Sequence, residues 1–63
     1  MFSERLKAIR KQKGFTQLKL AEKSGVPQGN ISLYETGKFI PTILTVECLC
    51  GALEITATEL LGF

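Results

Sequence analysis

The side chains with the most to offer chemically in this sequence are amides and cations. Gln17, Gln28 and Asn30 stand in one stretch with Ser32, Thr36 and Lys38. A glutamine amide carries a donor beside an acceptor, the pattern that pairs with a base edge such as adenine N6 and N7. Catalytic chemistry is poorly supplied by comparison. The chain has no His, no Asp and no Trp, and all six acids are Glu. No Ser-His-Asp or Cys-His nucleophile can be assembled, nor any common zinc site. We expect no enzyme, no cofactor, no metal and no small-molecule ligand. Cys48 and Cys50 are two residues apart, so on a helix they face different ways and do not bridge each other. Cys50 reads as a small core residue and Cys48 as an exposed free thiol.

Charge supports the same direction. Residues 1–38 hold all eight basic residues against three acids, a net of +5, while residues 39–63 hold three acids and no base, a net of −3. A basic half facing a polyanion and an acidic half facing away would have this distribution. The chain is 63 residues long, one small domain over 1–63, and its 44% hydrophobic and 22% charged content is that of a globular protein. It has no run near the ~18 apolar residues of a membrane helix and no signal-peptide pattern. A soluble cytoplasmic protein is expected, associated with the nucleoid when bound.

Five short helices and no strand must position these groups. Ser3 is a candidate cap for the first, with Leu6 and Ile9 on one face, Lys11 and Lys13 opposite, and Gly14 as its end. Thr16 is the next N-cap, followed by Leu18, Leu20 and Ala21 as apolar positions and by Gly25 as a breaker. A third helix follows Pro27, turning Ile31 and Tyr34 inward until Gly37. Pro41-Thr42 opens a fourth, with Ile43, Val46, Leu49, Cys50 and Leu53 at helical spacing. Thr56 and Glu59 form a capping box for a last turn through Leu60 and Leu61. The fold class is therefore all-α, a compact five-helix bundle.

Within it, residues 17–36 have the makings of a helix-turn-helix. Ala21 is small where helices cross, Gly25 suits a left-handed turn, and Val26 and Ile31 plug the angle between the helices. With these features the sequence resembles the Cro/CI-type helix-turn-helix domain (the XRE family), the fold of the lambdoid phage repressors. The resemblance covers nearly the whole chain. Its markers are Leu6 and Arg10…Gly14, Thr16-Gln17…Leu20-Ala21…Gly25-Val26, Ile31-Ser32…Glu35…Gly37-Lys38, Pro41-Thr42 through Leu49…Leu53, and Glu59-Leu60-Leu61.

The resemblance implies a sequence-specific transcriptional regulator, expected to be of the repressor type, that binds double-stranded DNA as a homodimer on a near-palindromic operator. With Ile31 at the centre of the buried face, steps of about 100° per residue turn Gly29, Ser32, Leu33 and Thr36 outward and set Gln28 at the leading edge. Such a face enters a major groove. Gln28 is the best base reader and also matches a family base-contact position; its other reading is a solvated helix-start residue. Gly29 either lets the backbone approach DNA or leaves that position without a base reader. Leu33 meets a thymine methyl or is an ordinary exposed leucine. Asn30 reaches a phosphate or a base edge. Thr16 and Gln17 open the second helix, where free N–H groups favour a phosphate, and the family uses the matching glutamine as a phosphate clamp. Thr36 and Lys38 are further phosphate candidates. Lys7, Lys11, Lys13 and Lys19 read as solvated or long-range contributors.

The resemblance also implies an ion pair between Arg10 and Glu35 that ties helix one to helix three, and a two-fold contact through the loop after helix three and the last helix. Phe39, Ile40, Ile55, Leu61 and Phe63 are the candidates for that contact, or else they close the single core. Three residues depart from the family pattern. Pro27 replaces the usual Ser or Thr cap, Phe39 a common second base, and Glu54 a glycine that often ends helix four. The rival reading is a protein-interaction module of the same fold, antitoxin-like or a regulatory subunit, with DNA contact secondary.

Overall fold

The computed structural model describes residues 2–62. Its elements are α1 (Phe2–Gln12), α2 (Gln17–Ser24), α3 (Gln28–Glu35), α4 (Ile43–Leu53) and α5 (Ala57–Leu61), with no strand among the described residues. Three of the five starts are fixed by a threonine. Thr16, Thr42 and Thr56 each accept a hydrogen bond from the backbone N–H three residues on, at Lys19, Thr45 and Glu59. At Thr56 the Glu59 carboxylate returns the bond to the Thr56 N–H at 3.1 Å, completing the expected capping box. Ser3 is not a cap: α1 already begins at Phe2, so Ser3 lies inside its first turn.

The ends are equally explicit. At α1, α3 and α4 a left-handed residue closes the helix, and the N–H beyond it reaches back five residues: Phe15 to Arg10, Lys38 to Leu33 and Ile55 to Cys50. This is the Schellman arrangement, which satisfies carbonyls that the helix cannot. Glycine fills the left-handed position at Gly14 (φ 78°) and Gly37 (φ 79°), but at α4 it is Glu54, at φ 57°. The departure noted in the sequence therefore places a side chain where its Cβ crowds the backbone.

Leu6, Leu20, Ile31, Leu49, Leu53 and Leu60 are the fully buried side chains, at least one from each helix, and Val26, Tyr34, Val46 and Cys50 complete the core. The principal packing pairs are α1 with α3 and α5, α2 with α3 and α4, and α4 with α5. Arg5 joins the first and last helices by donating to the carbonyl oxygens of Leu60 and Glu59, satisfying the end of α5. Two expected core positions are corrected. Leu18 is 55% exposed and Ile43 is 78% exposed. Ile43 is the first residue of α4, ahead of the stretch from Val46 to Leu53 that touches the core, so helical spacing does not bring it inward. Cys50 is buried, and burial first, then the nearby Glu59 and Glu47 charges, push its thiol above the ordinary range. Cys48 is exposed.

Replacing Glu54 by glycine removes left-handed strain of about 1–2 kcal/mol and returns part of it as unfolded-chain entropy. Glu54→Gly is expected to raise stability by roughly 0.5–1 kcal/mol, a melting-temperature gain of a few degrees in a thermal scan followed by circular dichroism.

Candidate nucleic-acid interface

The turn between α2 and α3 is built as its residue types require. Gly25 adopts φ 77° and its N–H donates to the Ala21 carbonyl at 2.9 Å. No atom lies within 4 Å of the position a Cβ would occupy there, so the requirement for glycine is the backbone conformation and not space. Ser24 Oγ accepts from the Val26 N–H at 3.1 Å, and Val26 is buried in the corner with Leu20 and Ile31. Ala21 is half-buried against this cluster.

Anchored by Ile31 and Tyr34, α3 turns its other side to solvent. Gln28 and Gly29 are exposed, as is Thr36 just beyond the helix, while Asn30, Ser32 and Leu33 are half-buried. Pro27 is the N-cap residue and makes no side-chain capping bond; the Asn30 N–H donates to the Pro27 carbonyl at 3.0 Å, which leaves the N–H groups of Gln28 and Gly29 to solvent or a ligand. At the other end the Leu33 carbonyl accepts from Thr36 Oγ1 (3.2 Å) and from the N–H groups of Lys38 (2.9 Å) and Phe39 (3.3 Å). The Thr36 hydroxyl is thus held back on its own helix, and Lys38 is exposed past the turn. Thr16, also exposed, is occupied as the cap of α2.

Behind this face lies a small polar cluster. Arg10 Nε donates to Glu35 Oε2 at 2.7 Å and Arg10 Nη2 to Glu35 Oε1 at 3.1 Å, a two-pronged pair that joins α1 to α3. Arg10 Nη1 also donates to the Phe15 carbonyl at 2.7 Å. Gln17 joins from α2, its Nε2 donating to Glu35 Oε1 at 3.0 Å. The Glu35 side chain is only 3% exposed. Burial alone would raise its pKa, but the bonds from Arg10 and Gln17 and the charges of Arg10 and Lys7 outweigh it and hold the carboxyl below its ordinary value of 4.5. Sequence reasoning gave Gln17 a role toward phosphate and missed this internal partner. No spacing rule links residues 17 and 35, because the contact exists only once α2 and α3 are folded together. The role of Arg5 at α5 was missed for the same reason.

The dimer candidates separate into two groups. Phe39 is 51% and Ile40 92% exposed, so these two do not close the core. Ile55 and Leu61 are half-buried against it, and Phe63 lies outside the described residues. Two side chains not counted among the candidates, Ile43 and Leu44, extend the exposed group, Leu44 at 73% exposure. Among the described residues no helix is long and apolar enough to cross a membrane.

Removing the Glu35 carboxylate leaves Arg10 buried with its charge uncompensated. Glu35→Ala is expected to cost about 3–5 kcal/mol in urea unfolding, much of the stability of so small a domain. The lowered pKa also fixes a sign. The stability contributed by the carboxylate is complete above pH 4.5 and disappears as pH falls through the lower folded-state value. Acid titration of stability is expected to show this loss in the native chain and not in Glu35→Gln.

Comparison with known proteins agrees with this geometry. Residues 6–60 match the helix-turn-helix family. The chain is 36% identical over 59 residues to the immunity repressor protein of Bacillus phage phi105, covering 94% of this chain and 41% of that protein. It is 37% identical over 61 residues to the HTH-type transcriptional activator BcrR of Enterococcus faecalis, covering 97% of this chain and 30% of BcrR. The chain thus spans less than half the length of these two relatives. The crystal structure of the restriction-modification controller protein C.AhdI from Aeromonas hydrophila superposes with a TM-score of 0.91 at 32% identity, over 94% of this chain and 89% of that one. The chain belongs to the Cro/CI-type (XRE) helix-turn-helix family of DNA-binding transcriptional regulators.

Proposed function

We propose that this chain regulates transcription by binding a near-palindromic DNA operator as a homodimer, in the manner of a repressor, with the outward face of α3 in the major groove. The observation that carries this reading is the contrast across α3. Ile31 is fully buried and Tyr34 nearly so, whereas Gln28, Gly29 and Thr36 lie open, so the helix is braced from behind and available in front. Gln28 reads a base through its amide, with Gly29, Ser32 and Leu33 alongside it in the groove. Gln17 and Thr16 at the start of α2, with Asn30, Thr36 and Lys38, take the phosphates and fix the register. The rival reading, a protein-interaction module with DNA contact secondary, has no such observation in its favour.

The homodimer reading rests on the exposed apolar group that follows α3. Among the described residues, Phe39, Ile40, Ile43 and Leu44 are four of the five exposed large hydrophobic side chains, and they fall within six residues. Phe39 leans on Tyr34 with ring centroids 6.4 Å apart, and Phe39, Ile40 and Pro41 line one side of a shallow apolar depression whose other side includes Phe2 and Tyr34. Uncharged apolar residues concentrated in this way mark a contact surface more often than a solvated one. A two-fold contact here would set two copies of α3 on successive turns of the duplex, about 34 Å apart.

Selection from a random duplex pool tests the function directly, and a recovered site with two-fold symmetry is expected. Failure to enrich any sequence would sink the reading. On the recovered site, Gln28→Ala is expected to relax preference at one base pair per half-site, at a cost of about 1–3 kcal/mol of discrimination. Ile40→Glu is expected to sediment as a monomer while keeping its helical content.

A further inference from the structure

The bond between Gln17 and Glu35 gives the carboxylate a second task. We propose that Glu35 is a positioning residue for the phosphate contact of Gln17, holding the amide in place before DNA arrives. The proposal rests on the reading of Gln17 as a phosphate ligand given above.

Gln17 is the first residue of α2 and is half-buried. Its Nε2 donates to Glu35 Oε1 at 3.0 Å, and that acceptor is itself immobile, because Arg10 grips both carboxylate oxygens at 2.7 and 3.1 Å. A primary amide nitrogen has two hydrogens. One is directed to Glu35, which leaves the second for an anion outside, together with the backbone N–H groups of Gln17 and Leu18, since the Lys19 N–H is taken by Thr16 Oγ1. An unrestrained glutamine loses considerable rotamer freedom when it grips a phosphate, and Gln17 has already given up that freedom on folding. A lone carboxylate behind the amide would repel the incoming phosphate. Here the Arg10 charge cancels it, so Glu35 aligns Gln17 without opposing the ligand.

The placement also has a geometric consequence. Glu35 is the last residue of α3, so the amide that anchors the backbone and the helix that reads the bases are fixed to one point. Gln17 would then set the depth and tilt of α3 relative to the phosphates.

Two measurements on the full chain test this. In the absence of DNA, side-chain amide relaxation by NMR is expected to show Gln17 ordered relative to the exposed Gln12 and Gln28, and Glu35→Gln is expected to release it to their level. On the duplex recovered by selection, Gln17→Ala is expected to weaken binding about tenfold or more with the salt slope unchanged, because a neutral amide displaces no counterion. Glu35→Gln is expected to weaken binding by a larger factor in the native background than in the Gln17→Ala background. A Gln17 amide as mobile as that of Gln28 overturns the proposal while leaving the phosphate reading intact, and needs no variant to fold. Effects of the two substitutions that multiply overturn it as well. If Gln17→Ala leaves the affinity unchanged, the phosphate reading falls and the proposal with it.

Discussion

One buried carboxylate ties together the three helices α1, α2 and α3. Glu35 receives three hydrogen bonds, two from Arg10 on α1 and one from Gln17 on α2, and it belongs to α3. An ionised group out of water is costly unless its lone pairs are occupied and an opposite charge lies close, and both conditions are met here. The side chains buried among the described residues leave no polar atom unpartnered. Such a pair contributes little net stability compared with a well-packed apolar replacement. Its distinctive property is direction: apolar contacts tolerate sliding, whereas a two-pronged guanidinium and carboxylate fix the angle between the helices that carry them.

Most of the fold was legible because the sequence marks its helix boundaries with side chains that act locally. Thr16, Thr42 and Thr56 cap as their positions suggest, and Gly14, Gly25 and Gly37 supply the left-handed residues that end three helices. Local chemistry leaves other matters open. In α4 apolar residues occur on every side, from Ile43 and Leu44 through Ala52 and Leu53, so spacing alone does not separate the buried Val46 and Leu49 from the exposed Ile43 and Leu44. Leu18 failed similarly in α2, where Leu20 alone is fully buried.

The interface was legible to a different degree. The outward turn of Gln28 and Gly29 follows from helix geometry once Ile31 is taken as the inward residue, and the structure has that arrangement. The pairing of Arg10 with Glu35 came from family resemblance, since no physical rule relates positions so far apart in sequence. The link from Gln17 to Glu35 and the grip of Arg5 on α5 became visible only with the helices assembled. Charge was informative throughout: the basic residues are confined to α1 through the turn after α3, while Glu47, Glu54 and Glu59 are exposed on α4 and α5 or at their ends.

The helices pack in a closed circuit, α1 to α3 to α2 to α4 to α5 and back to α1, with Arg5 fastening the last link. A circuit has no terminal member that can detach at low cost. Peeling α5 away would break its packing against α1 and α4 at once, and loosening α1 would break its packing against α3 and α5. Small as it is, the domain is wired for all-or-none unfolding, and partly open forms that would engage DNA with α3 misaligned gain little population.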